Sequence, residues 1–236
     1  MLYHTPRILL YDNRDGTMPH PLTADDHGFL CYAFMDDARL LLSAYRFGIF
    51  PWDNIENIGA FYFPVSRYLI EPSKIRVPRS MRSYFNQHKF SLTLDLHFDT
   101  VIRNCARIKR SGQSSTWISQ QFIDVYTTLH RLGYAHSVEV WHEGQLVGGL
   151  YGIAVGKIFT GESMFSLHAN ASRFAMISLA RFLEQTGFNY IDAQVYNPYV
   201  ASFGGGEVAR ADFYKIMKAN LLNDDLMGPW SDLMVP

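Results

Sequence analysis

Three strand-like runs joined by two short turns constrain the fold of this chain more than any other feature. The runs are Ser137 to Trp141, Leu146 to Val155 and Lys157 to Phe159. The turns are His142-Glu143-Gly144-Gln145 and Val155-Gly156-Lys157, each with a glycine where the backbone must reverse. Connections this short make the runs neighbours in an antiparallel meander. A helical pattern follows from about Ala171 to Thr186, with Met176, Leu179, Ala180 and Leu183 on its apolar face and Gly187 as its stop. Tyr190 to Val195 reads as a further strand and Ala211 to Leu222 as a closing helix.

Upstream, helical patterns dominate. Asp36-Asp37 offers an N-cap for a run from Ala38 to Tyr45 that Gly48 ends. Arg79 to Gln87 and Asp99 to Lys109 read as helices and Ser91 to Leu94 as a short strand. Ser119 caps a helix whose face is Phe122, Val125, Tyr126, Leu129 and Leu132, with Gly133 as its stop. The residues before Met35, broken by Pro6, Gly16, Pro19, Pro21 and Gly28, read as irregular, and residues 53–66 as loop and short strand. A soft boundary near Pro64 to Tyr68 divides the chain into a small N-terminal domain, 1-65, and a larger domain, 66-236. Helices, a meander, then helix–strand–helix is an α+β order.

Composition excludes several function classes. The net charge of −1 leaves no global pull towards nucleic acid. With 18% charged and 15% aromatic residues the chain is a packed globule, not a disordered one. Cys31 and Cys105 stand far apart without a CxxC, so they read as reduced, packed thiols. Met1 to Pro6 lacks a signal-peptide pattern, and no apolar run reaches the ~18–20 residues of a membrane span. A cytoplasmic chain that meets no membrane is the expectation. The nine histidines form no HExxH and no paired spacing, so no metal is expected. Gly204-Gly205-Gly206 lacks the residues of a phosphate loop, and no GxSxG occurs.

Four groups of residues bear on chemistry. If Tyr190 to Val195 is a strand, Asp192 and Gln194 share one face and Ile191, Ala193 and Val195 the other. That pair either orients an amine and a carbonyl together or lies on a solvated strand face. Glu162 stands between Phe159 and Met164-Phe165. It is either an acid whose pKa burial raises, or a charge on the outer face of an edge strand. Arg67 to Arg110 holds ten basic residues against three acidic ones, which is a phosphate-binding surface or a solvated charge run. Trp52 and Trp117 sit in loop-like sequence, where they stack on a base or plug the rim of a core.

The ordered segments Tyr45-Arg46-Phe47-Gly48-Ile49-Phe50-Pro51-Trp52, Ser115-Thr116-Trp117-Ile118, Leu132 to Trp141, Val147-Gly148-Gly149-Leu150-Tyr151-Gly152, Gly161-Glu162-Ser163-Met164-Phe165-Ser166, Ile191-Asp192-Ala193-Gln194 and Ala201-Ser202-Phe203-Gly204 closely resemble the bacterial leucyl/phenylalanyl-tRNA–protein transferases. The likeness runs from about Leu40 to Phe213. It implies a small N-terminal domain plus a GNAT-like acyltransferase domain with a mixed, largely antiparallel sheet. It also implies an activity: Leu or Phe, less readily Met, passes from aminoacyl-tRNA to the N-terminal Arg or Lys of an acceptor protein, marking it for N-degron proteolysis. No cofactor is implied, because the aminoacyl ester is already activated, and a monomer is expected.

By that resemblance Asp192, Gln194 and Glu162 match catalytic residues. Leu150, Phe159, Met164, Met176, Leu179 and Ile191 match the lining of an aminoacyl side-chain pocket. Trp52 and Trp117 match residues that hold the terminal adenosine, and Arg76, Arg79 and Arg82 fall in the region that meets the tRNA acceptor arm. The family proposal has Gln194 accept the amine proton, polarised by Asp192. A neutral amide is a poor base, so Asp192 is preferred here as the group that binds and deprotonates the amine. Gln194 then orients the amine or carbonyl, and Glu162 holds the pair or recognises the basic acceptor terminus. The N-terminal region departs from the family: Cys31 to Met35 stands where a Gly-Gly-Asp-Leu segment is usual, and Phe61-Tyr62-Phe63-Pro64 replaces a Trp-Trp-Ser-Pro type. Two rival readings compete. An acetyl-CoA enzyme would need a pyrophosphate loop that is not found, and a non-catalytic RNA-binding module would not need Glu162, Asp192 and Gln194 together.

Overall fold

The computed structural model describes residues 10–108 and 118–233. It begins with a small sheet: β1 (Leu10–Tyr11), β2 (Phe29–Phe34), helix α1 (Ala38–Arg46), then β3 (Phe50–Ile55) and β4 (Ile58–Tyr62), in the order β1-β2-β4-β3. The residues before Met35 are therefore not all irregular, and residues 53–66 include most of a hairpin. Phe29–Phe34 is a continuous apolar run with no alternation to betray a strand. It is held at its end by Asn13, whose side chain donates to the Phe34 carbonyl at 2.8 Å and accepts the Phe34 N–H at 2.9 Å.

The larger sheet collects the rest. Its elements are β5 (Ser66–Ile70), α2 (Arg79–Asn86), β6 (Ser91–Leu94), α3 (Phe98–Arg107), α4 (Gln120–Arg131), β7 (Ala135–His142), β8 (Gln145–Val155), β9 (Ile158–Ser166), α5 (Ala171–Gln185), β10 (Tyr190–Asp192), α6 (Pro198–Ala201), β11 (Gly206–Ala209) and α7 (Arg210–Asn220). A short 3-10 turn at Trp230–Leu233 follows. The strand order is β11-β5-β10-β9-β8-β7-β6, and only β9 and β10 pair in parallel. This is the mixed, largely antiparallel sheet of the expected α+β class, with the meander β7-β8-β9 as its continuous body.

Local sequence explains the helix ends. Asp37 accepts the Arg39 N–H at the start of α1, and Ser119 accepts the Phe122 N–H at the start of α4. Alternation along the strands then sends side chains to two apolar layers. Tyr151 faces a layer shared with α1, α3, α4, α7 and the small sheet, built from residues such as Tyr45, Phe61, Val101, Tyr126 and Phe213. Leu150 faces the other layer, with Phe159, Met176, Leu179, Leu183 and Ile191, covered by α5. Each such side chain contributes roughly 1.5–3 kcal/mol when fully buried. Helix α5 lies very close on the sheet: a Cβ on Gly148 would come within 2.5 Å of the Ala171 Cβ. No helix among the described residues is long and apolar enough to cross a membrane.

Candidate active site

Between α5 and strands β8, β9 and β10 lies a cavity of about 360 Å³. Leu150, Phe159, Met164, Met176, Leu179 and Ile191, the residues matched to the aminoacyl pocket, all line it. Five of the six are almost wholly buried, so the lining is fixed by the core itself. The other walls include Ala193, Gln194 and Val195, with Asn197, Tyr199 and Val200 from the segment around α6.

Glu162 and Gln194 form the polar end. Ladder pairing in the β8–β9 hairpin jumps from Tyr151↔Ser163 to Gly152↔Gly161, which leaves Glu162 as the extra residue of a β-bulge. The bulge re-aims this side chain. Its Oε1 accepts from the Gln194 amide Nε2 at 3.0 Å, and its Oε2 accepts from the Tyr126 hydroxyl at 3.1 Å. The Tyr126 hydroxyl in turn makes a short hydrogen bond with that of Tyr45. Burial pushes the Glu162 carboxyl up to about 7, against the opposing pull of the Tyr45 and Tyr126 hydroxyls. Both phenols lie well above their ordinary range, through burial first and the nearby Glu162 carboxylate second. Of the two alternatives for Glu162, an outer-face charge is excluded: only 9% of the residue is exposed.

Asp192 sits differently from expectation. Strand β10 stops at Asp192, and Gln194 takes a left-handed backbone with φ 65°. The alternation assumed for Tyr190 to Val195 therefore breaks, and Asp192 and Gln194 do not share a strand face. Gln194 turns to the cavity side, where Ile191 and Ala193 also lie. Asp192 points away into the opposite layer, fully buried. It accepts from Arg67 Nε at 2.8 Å and Nη2 at 2.6 Å, and from the Gln194 backbone N–H at 2.9 Å. With its oxygens engaged and no contribution to the cavity wall, its geometry does not suit direct contact with an incoming amine.

The remaining site residues scatter. Trp52 lies on β3, not in a loop, 42% exposed, with its ring against Phe50 and Tyr62. Trp117 falls outside the described residues. Arg76, Arg79 and Arg82 are exposed and make no ion pair among the described residues. The basic run is smaller than its sequence count, because Arg67 is buried on Asp192, Lys74 pairs with Glu71 and Arg103 with Asp99. Three residues that sequence reasoning missed belong to the polar end: Arg67, counted as surface charge, Tyr126, read only as core, and Tyr45, read only as part of a helix. The cost of a carboxylate in apolar company was the available pointer to buried hydroxyl donors.

Comparison with known proteins shows the family to which the chain is similar. A sequence model described as leucyl/phenylalanyl-tRNA protein transferase matches residues 69–218. A leucyl/phenylalanyl-tRNA–protein transferase of Syntrophobacter fumaroxidans is 41% identical over 203 residues, covering 86% of this chain and 87% of that protein. One from Syntrophus aciditrophicus is 44% identical over 191 residues, covering 81% and 80%. One from Flavobacterium johnsoniae is 41% identical over 211 residues, covering 89% of this chain and 100% of its own length. Among solved structures, the C-terminal domain of a putative lysylphosphatidylglycerol synthetase from Agrobacterium fabrum is 12% identical. It covers 82% of this chain and 72% of its own with a TM-score of 0.43.

Proposed function

The chain belongs to the leucyl/phenylalanyl-tRNA–protein transferase family, and on that premise we propose that it moves Leu or Phe, and less readily Met, from aminoacyl-tRNA to the N-terminal Arg or Lys of acceptor proteins, marking them for N-degron proteolysis. The observation that carries the reading is an apolar cavity ended by a hydrogen-bonded Glu162–Gln194 pair. An apolar cavity accepts Leu and Phe side chains and rejects charged ones through desolvation. Discrimination by one methylene is worth only ~1–3 kcal/mol, so leakage to Met is expected. Trp52 would hold the terminal adenosine, and Arg76, Arg79 and Arg82 the acceptor arm. The chain alone supplies both the cavity and its polar end, so a monomer suffices.

The reaction forms an amide and breaks an ester. The acceptor's α-amine attacks the aminoacyl carbonyl, a proton leaves the nitrogen, and the ribose oxygen departs as a hydroxyl. The Gln194 amide donates to Glu162, which leaves its carbonyl oxygen to accept an N–H of the amine. Ionised Glu162 is the base: it titrates near neutrality and faces the cavity, whereas Asp192 is no part of the cavity wall and is held by Arg67. This assigns the proton to Glu162 instead of Asp192, and gives Asp192 the part of holding Gln194.

The test is transfer of labelled amino acid from Leu-, Phe-, Met- and Val-tRNA to an Arg- or Lys-initiated peptide. Leu and Phe should enter the peptide, Met more slowly and Val at least about tenfold more slowly. Label that stays on tightly bound tRNA would overturn the transferase reading.

A further inference from the structure

We propose that Arg67 is a positioning residue for aminoacyl transfer: sandwiched between two phenylalanine rings, it grips Asp192 and so fixes the Gln194 backbone that aims the amide into the cavity. This rests on the cavity being the aminoacyl site. Arg67 lies on β5, only 1% exposed, with its guanidinium carbon 4.5 Å from the Phe50 ring centre and 4.6 Å from that of Phe213. Its fork meets Asp192 in two parallel bonds, Nε to Oδ1 at 2.8 Å and Nη2 to Oδ2 at 2.6 Å. Asp192 Oδ1 also accepts the Gln194 N–H at 2.9 Å. Gln194 needs that bond, because a left-handed backbone is unfavourable for a residue with a side chain. The residue next to Arg67 completes the clasp: the Tyr68 N–H donates to the Gln194 carbonyl at 3.0 Å, and the Tyr68 carbonyl accepts the Ala193 N–H at 2.9 Å.

Stability does not account for this arrangement. A buried ion pair is at best about even with an apolar filling of the same volume. Here Arg67 Nη1 is buried with no hydrogen-bond partner among the described residues, which adds to the cost. What the guanidinium does supply is a rigid fork. A compact ammonium cannot hold both Asp192 oxygens in one plane. The Phe50 wall also joins this clasp to β3, since the Phe50 ring lies 5.8 Å from that of Trp52.

The experiment uses the full chain with Phe-tRNA and an Arg-initiated peptide. Arg67→Lys, measured per folded molecule, should lower kcat by about tenfold or more, as small misplacement of a reacting group does, while Phe-tRNA binding stays within about twofold. Phe50→Leu, which loosens one wall of the sandwich without removing charge, should lower kcat by about threefold to tenfold with the same tRNA affinity. Arg67→Lys added to Gln194→Ala should cost nothing beyond Gln194→Ala alone, because Arg67 acts through Gln194. A purely structural role would lower Tm and yield but leave kcat per folded molecule intact. Wild-type kcat in Arg67→Lys or in Phe50→Leu, or losses that multiply in the double variant, would overturn the proposal. If Arg67→Lys does not fold, Phe50→Leu decides alone. A wild-type protein that transfers no label overturns the transferase reading beneath it instead.

Discussion

Glu162 concentrates the chemistry of the cavity in one side chain. Burial favours its neutral form strongly enough to outweigh the phenol hydrogen bonds from Tyr126 and Tyr45, and the result is a carboxyl that titrates at about 7. As a base it works only when ionised, so kcat/KM should rise with pH through about 7 and level off above it. In Glu162→Gln that limb should disappear and the rate fall by roughly 10²–10⁴-fold, the usual worth of a positioned base. A pH–rate profile of the two proteins checks this, and an unchanged limb in the variant would assign it to another group. The same shift has the opposite sign for stability. A raised carboxyl contributes stability in its protonated form, fully present below its ordinary value and lost as pH rises through about 7. Glu162→Gln, which mimics the protonated form, should therefore stand closest to the wild-type Tm near pH 4.5 and exceed it by a few degrees at pH 8.

The site depends on two places where a strand stops behaving like a strand. One is the bulge in β9, which leaves Glu162 unpaired in the ladder. Gly152 stands opposite, and a Cβ there would fall 2.2 Å from the Thr160 carbonyl oxygen and 2.5 Å from the Phe159 ring. Gly152→Ala should thus force the hairpin apart, lowering stability by about 1–3 kcal/mol in urea unfolding and reducing transfer as Glu162 shifts. Full stability in that variant would mean that the hairpin gives way freely. The other place is the end of β10 at Asp192. These two points mark the limit of what the sequence revealed. The meander, α1, α4 and α5 were legible, because caps, glycine stops and apolar periodicity all act locally. The six apolar cavity residues were legible through their family match, and the structure brings them together. Gln194 was misdirected because alternation holds only while the ladder continues; the bond that ends it, Asp192 Oδ1 to the Gln194 N–H two residues on, is a local turn, but the grip of Arg67 that sets the carboxylate for it is a tertiary fact. Arg67 was read as surface charge because counting cannot see that Asp192, Phe50 and Phe213 enclose it.

At the scale of the whole molecule, the last described segment closes the layer behind the cavity. Trp230 is fully buried, its ring stacked on His136 at 3.7 Å and tilted against Phe159, which itself lines the cavity. Asp95 ties the segment down by accepting the Trp230 N–H at 2.7 Å, the Ser137 N–H at 2.8 Å and the His136 Nδ1 at 2.8 Å. Residues remote in sequence thereby share one joint, so its loss is felt at both ends. Trp230→Ala should destabilise by about 3–5 kcal/mol, in line with large-to-small changes in a core. The joint also carries a pH dependence. Burial holds His136 below its ordinary value, against the pull of Asp95, while His130 pushes in the same direction as burial. A depressed histidine contributes stability in its neutral form, present above its unfolded value of ~6.5 and lost as pH falls through the folded value. His136 should accordingly cost stability on acidification below neutral, opposing the gain from Glu162 over the same range. His136→Asn keeps a donor for Asp95 but has no titrating ring, so its Tm should start lower at pH 7 and the gap to wild type should narrow as pH falls. Scanning calorimetry from pH 7 to 5 measures both slopes. Parallel curves would show that protonation elsewhere sets the acid limit and that the His136–Trp230 stack stays closed throughout.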